Sequence, residues 1–147
     1  MPTFEHILSE DLRSSLEGDF KEMTVCMKNE AWKATHVLAG SIIEAILIDH
    51  LISEKYITHE EGMTLDFAKA LNLCKDKKIV STKTSDLSSA VKEYRNLIHP
   101  GRLIRLKEKI TKDTATVSIA LVDMITNEIS KKRLEKYGYT AEQIIKK

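Results

Sequence analysis

Six residues between positions 92 and 105 have side chains suited to anions and protons: Lys92, Arg95, Asn96, His99, Arg102 and Arg105. Leu87, Val91, Tyr94 and Ile98 are spaced four, three and four apart, which predicts a helix with a narrow apolar stripe. At about 100° per residue, Lys92, Arg95 and His99 share one flank of that stripe. At such a rim, neighbours order a side chain that still reaches a ligand. Arg102 and Arg105 follow within two turns, so three guanidiniums and one imidazole can converge. A guanidinium matches phosphate oxygens two at a time, and an imidazole with an ordinary pKa of about 6.5 exchanges a proton at neutral pH. The cluster suits an anion.

Glu44 is the second residue with chemical content, because it interrupts the most apolar segment of the chain, residues 37–48. Its position predicts a buried carboxylate, which must find a partner. Gly40 and Ser41 lie on the adjoining face, and glycine allows another helix close approach. The expected neighbour is the helix bearing Arg95, with Glu44 accepting from Arg95 or Asn96. A purely structural pair that fixes helix register fits the same residues.

The elements that must position these groups are helices. Gly and Pro total 7 of 147 residues, so turns are few and elements long. Thr3 is placed to cap a first helix that Gly18 ends. Asp19 with Glu22 has the form of a capping box for a second helix reaching about Asn29. Residues 30–55 carry apolar side chains almost all round, as a central helix does. Thr58 with Glu61 repeats the capping box for a short turn closed by Gly62, and Thr64 is placed to open a helix ending near Lys78. A polar break at 81–85 precedes the Arg95 helix, which His99-Pro100-Gly101 closes. Val117, Leu121, Met124, Ile125 and Ile129 mark a last long helix, about 112–136, stopped at Tyr137-Gly138, and Thr140 is placed to cap a short terminal one. The reading is one all-α domain over residues 1–147: a bundle of six to seven helices around two long apolar ones, about 30–55 and 112–136.

Residues 94–102, Tyr-Arg-Asn-Leu-Ile-His-Pro-Gly-Arg, lie about fifty residues after Ala39-Gly-Ser-Ile-Ile-Glu44-Ala-Ile-Leu. Together they resemble the HEPN (higher eukaryotes and prokaryotes nucleotide-binding) superfamily over roughly residues 30–130. Its domains are small helical bundles; many are metal-independent ribonucleases and others are non-catalytic modules that bind nucleotides or RNA. The family's mark is an Arg, a polar residue and a downstream His, and active members dimerise so that two motifs meet. Three residues separate Arg95 from His99 here, one fewer than active members have. The resemblance implies that Arg95 steadies a phosphate, Asn96 orients the site and His99 acts as acid or base. The ribose 2′-hydroxyl would attack the adjacent phosphodiester without a metal. Lys92, Arg102 and Arg105 are the further phosphate ligands, with Glu44 as the supporting carboxylate. The implied ligand is RNA or a nucleotide, the implied partner a second copy of the chain, and no cofactor or metal is expected.

Composition narrows the rest. Lys plus Arg is 23 against 22 for Asp plus Glu, and 42% of residues are hydrophobic, which excludes a disordered or supercharged chain. Charge is nevertheless divided: residues 1–66 hold 5 basic and 13 acidic groups, residues 67–147 hold 18 and 9. Either the halves attract each other, or the second half presents a positive patch to a polyanion. No membrane span and no secretory signal are expected, which places the chain in the cytoplasm. Cys26 and Cys74 read as reduced thiols, and His6, His36, His50 and His59 as structural or exposed. The aromatic residues Trp32, Tyr56, Tyr94, Tyr137 and Tyr139 are too scattered to form a stacking platform for single-stranded RNA and read as core and helix-end packing. Two other functions fit the composition: a MazG-like, Mg²⁺-dependent nucleotide pyrophosphohydrolase, and a non-catalytic dimeric binding module. The first needs paired carboxylates a turn apart; Asp19 with Glu22 has that spacing, Glu44 with Asp49 and Glu61 with Asp66 are near misses, and none forms the paired ExxE and ExxD arrangement of such enzymes.

Overall fold

Ser9, not Thr3, opens the first helix in the computed structural model, which describes residues 4–88, 101 and 109–138. Its hydroxyl accepts from the Leu12 amide at 3.3 Å, and Glu10 and Asp11 in the first turn complement the dipole of α1 (Glu10–Lys28). Gly18 does not end this helix. Leu16, Phe20 and Met23 are buried on its inner face, and their burial outweighs the roughly 1 kcal/mol that one exposed helical glycine costs. Asp19 and Glu22 are therefore mid-helix residues, not a cap.

Residues 29–31 turn the chain, with Glu30 in the left-handed region at φ 61°, and α2 (Trp32–Ser53) returns along α1 as an antiparallel hairpin. In α3 (His59–Thr64), Thr58 and Glu61 make the expected reciprocal capping box. Gly62 lies inside α3, where a Cβ would stand 2.6 Å from Ile52 Cδ1, so the missing side chain seats α3 against α2. Asp66, not Thr64, caps α4 (Phe67–Asp76) by accepting from the Lys69 amide at 2.8 Å. Residues 82–88 are also helical, started by the Ser81 hydroxyl accepting from the Thr84 amide, so a helix begins within the expected polar break. Gly101 is helical, and His99 and Pro100, the rest of the expected stop, lie outside the described residues. The last helix described, α5 (Lys112–Tyr137), starts at a Thr111–Thr114 box and stops at Gly138, whose φ of 75° glycine adopts without strain.

The protein is an all-α bundle, with no strand among the described residues. α2 is its axis: α1, α3, α4 and α5 each pack on it. Ile42, Ile43, Ile46, Leu47 and Leu51 are fully covered there, against Leu121, Val122, Ile125 and Ile129 of α5. Burying each such side chain contributes about 1.5–3 kcal/mol. By length and composition alone α2 is also long and apolar enough to cross a membrane, which residues 37–48 by themselves are not. Contacts at both ends fix the direction of α5. Ser118, near its start, meets His36 near the start of α2, and Arg133 and Lys136, near its end, meet Glu54 just past the end of α2. The two long helices are therefore parallel. Ahead of α1, Arg13 donates twice to the Ile7 carbonyl, at 2.7 and 3.2 Å, and Phe4 packs edge-on against Phe20. These contacts hold the leading segment, with His6, against the bundle.

Candidate functional site

Parallel packing gathers the C-terminal ends of α2 and α5, and the turn after α4 closes over them. Ile125 and Ile129 put Arg133 on the buried stripe of α5, and Ile43, Ile46 and Leu47 do the same for His50 on α2. Both side chains are thereby carried into the interior, where each is 5% exposed, and His6 joins them at 1%. Glu54 sits beside them, its side chain also 5% exposed. It accepts from Lys136 Nζ, and the Tyr137 hydroxyl lies 3.1 Å from each of its oxygens. Arg133 Nη1 is 3.8 Å from Glu54 Oε1, an ion pair too long to be a hydrogen bond.

The electrostatics of this end follow from burial. Desolvation, reinforced by the Arg133 charge, lowers His6 to about 4. Desolvation also lowers His50 to about 4; Glu54 pulls it back up, and Arg133, Lys136 and Lys132 push it further down. Both rings are neutral at pH 7. Burial raises Glu54, but hydrogen bonds from Lys136 and Tyr137 more than reverse this, and its net displacement is downward. Asp49 is raised by burial against the pull of Arg133. Among the described residues, His6 Nδ1 and Nε2, His50 Nδ1 and Arg133 Nε are buried without a hydrogen-bond partner. Such groups cost about 1–3 kcal/mol each, so one cluster holding four of them is a concentrated expense to the fold.

The cluster borders open space. A cavity of about 300 Å³ is lined by His50, Glu54, Lys77, Lys78, Lys132 and Lys136, with Tyr56 on its wall. It adjoins a second cavity of about 520 Å³, which shares Lys78 and Lys132 and adds Lys75 and Lys131. Lys75, Lys78, Lys131 and Lys132 are exposed and have no ion-pair partner among the described residues. Lys77 stands 5.4 Å over the ring of Tyr56, which is 47% exposed. Six lysines thus face two adjoining cavities, opposed by Glu54, Glu128 and Glu135.

Arg95, Asn96, His99, Lys92, Arg102 and Arg105 lie outside the described residues. Glu44 does not occupy the buried position expected of it. It is half-buried, on an edge of α2 that faces a cavity of about 550 Å³ between α1 and α3, with Ser41, Asp49 and His59 beside it. Its expected partners, Arg95 and Asn96, lie outside the described residues. Of the carboxylates considered for Mg²⁺, Glu61 caps α3, and no group of three His, Cys, Asp or Glu converges on a metal position among the described residues. Cys74 is buried, which pushes its thiol up to about 12, and Cys26 is half-buried.

His6, His50, Glu54 and Arg133 were not singled out by their types. Arg133 belongs to a Lys131-Lys132-Arg133 run that suits any helix C-terminus, and His50 has no partner at ligand spacing. The available signal was periodicity, and only for His50 and Arg133, which continue the apolar stripes of α2 and α5 with a polar group; His6 and Glu54 lie outside those helices. The chain matches one protein-family model, described as a domain of unknown function (DUF4145), over residues 21–147. No curated protein and no solved structure matches it.

Proposed function

The chain belongs to that family, whose description brings no activity with it, and from its own residues we propose that it is a HEPN-like domain binding RNA or a nucleotide. The observation that carries this reading is the pair of lysine-flanked cavities between the turn after α4 and the end of α5. Lys75, Lys78, Lys131 and Lys132 make no ion pair among the described residues and outnumber Glu128 and Glu135 in the lining, so they favour a polyanion and would release its counterions on binding. Tyr56 offers a ring face for stacking a base, with little sequence preference. Arg95 and His99, with Asn96 between them, supply the chemistry in this reading: a guanidinium on the phosphate and an imidazole moving the 2′-hydroxyl proton in a metal-independent cleavage. Lys92, Arg102 and Arg105 extend the phosphate contacts, and a homodimer brings two motifs together.

The test separates binding from turnover. A short unstructured RNA is expected to bind with an affinity that falls steeply with salt. The double variant Lys78→Ala/Lys132→Ala should lower the affinity at least tenfold and the salt slope by about two. Binding unchanged by that variant would sink the assignment of the groove. Cleavage that persists in a chelator and disappears in Arg95→Ala and His99→Ala marks the chain as a nuclease; binding without cleavage marks it as a non-catalytic module.

A further inference from the structure

The smaller cavity differs from the groove in having a built floor. His50 lines it and is almost wholly buried, with Nδ1 unpartnered among the described residues; behind it lie Arg133, whose Nε is likewise unpartnered, and His6. Lys136 is held by Glu54, which leaves Lys77, Lys78 and Lys132 at the mouth to face a ligand, and the lining stays positive even with Glu54 and Glu135 counted. At about 300 Å³ the space is at the small end of ligand pockets. Tyr56 stands on the same wall with nearly half its surface open.

We propose that this cavity is a pocket for a nucleotide phosphomonoester, either free or at the end of an RNA strand, with Lys77, Lys78, Lys132 and His50 on the phosphate and Tyr56 against the base. The proposal rests on the nucleic-acid reading above and narrows it from a polyanion to one terminal group. A phosphomonoester carries nearly two charges at pH 7 and three unbridged oxygens, where a diester within the strand carries one charge and two, so clustered donors favour it. Neutral His50 contributes a hydrogen-bond donor, and the lysines contribute the charge.

Calorimetry on the full chain with adenosine monophosphate, adenosine and inorganic phosphate tests the pocket. Adenosine monophosphate should bind saturably and about tenfold tighter than adenosine, the gain expected of charge-assisted hydrogen bonds. His50→Gln and Lys78→Ala/Lys132→Ala should each remove that advantage, while Tyr56→Ala should weaken the mononucleotide and leave inorganic phosphate unchanged. The lysines are exposed, so the double variant answers the question even if His50→Gln fails to fold. Equal binding of the nucleoside and its monophosphate, or insensitivity to the lysine variant, overturns the proposal. RNA of one sequence with phosphorylated or hydroxyl ends separates the two sources. If hydroxyl-ended RNA binds and the monophosphate does not, the pocket is wrong and the groove stands; if the monophosphate alone binds, the pocket stands and the groove is wrong.

Discussion

The two ends of the α2–α5 pair treat a buried imidazole in opposite ways. Near the start of both helices, His36 is 1% exposed and its Nδ1 lies 2.6 Å from the Ser118 hydroxyl, which is itself 3.0 Å from the Thr114 carbonyl. One hydroxyl hydrogen serves only one acceptor. When Ser118 donates to Thr114, it accepts from His36 Nδ1–H, and the ring is tied into the helix framework. Near the end of both helices, His50 and His6 are buried comparably, but Nδ1 of His50 and both ring nitrogens of His6 lack hydrogen-bond partners among the described residues, and lysines stand at the opening. Desolvation lowers all three rings to about 4, so burial alone does not distinguish the ends. The pairing of Nδ1 does, made to Ser118 in His36 and not made in His50 among the described residues. A buried polar group paired within the fold serves the fold, and of the unpaired set His50 is the member that lines the cavity.

The largest test of this contrast is acidification. Each ring has a folded value near 4 against about 6.5 unfolded, so its neutral burial stabilises the fold fully above pH 6.5. That stability is lost as pH falls towards 4, at roughly 3 kcal/mol per ring. Urea midpoints should therefore drop steeply between pH 6.5 and 4, and a flat profile would show that the rings are not buried neutral. Next comes the ion pair. Glu54→Ala strands Arg133 without its carboxylate and should cost about 3 kcal/mol, whereas Arg133→Met, which keeps the length and removes the charge, should change stability by less than about 1 kcal/mol. Equal losses in the two variants would make the pair an ordinary structural bridge. The smallest effect belongs to the satisfied end: Ser118→Ala should cost about 1–2 kcal/mol in chemical denaturation and leave adenosine monophosphate affinity unchanged. A loss of affinity there would erase the difference between the ends.

How far the sequence could be read depended on what kind of signal each feature leaves. The all-α fold, the central position of α2, the Thr58 box and the Gly138 stop are written in periodicity and caps, which act over one or two turns. Gly18 misled because a glycine signals a stop only where the chain needs a left-handed turn; on the exposed face of α1, with no atom within 4 Å of a Cβ, it is carried along by the buried Leu16 and Phe20. Thr64 and Asp66 are both sound caps two residues apart, and burial of Phe67 at 4% exposure selects the second. Glu44 was placed by its apolar neighbours, but an α-helix has several sides, and whether one is covered depends on α1 and α3. The cluster of His6, His50, Glu54 and Arg133 was hidden for the same reason. Its members span most of the chain and meet only because α5 runs parallel to α2.

That parallel arrangement has a consequence for how the chain reaches its native state. α1 and α2 are joined by three residues and can pair locally, at low cost in loop-closure entropy. The opposite side of α2 waits for α5, and parallel neighbours cannot be linked by a tight turn: everything between Ser53 and Lys112 must be made and routed first. The seam of Ile42, Ile46 and Leu47 with Leu121, Ile125 and Ile129 is thus a set of contacts distant along the chain, of the kind that slows folding of helical proteins. Until it closes, the most apolar helix of the molecule has one flank in water, and during synthesis that interval includes translation of the whole intervening segment.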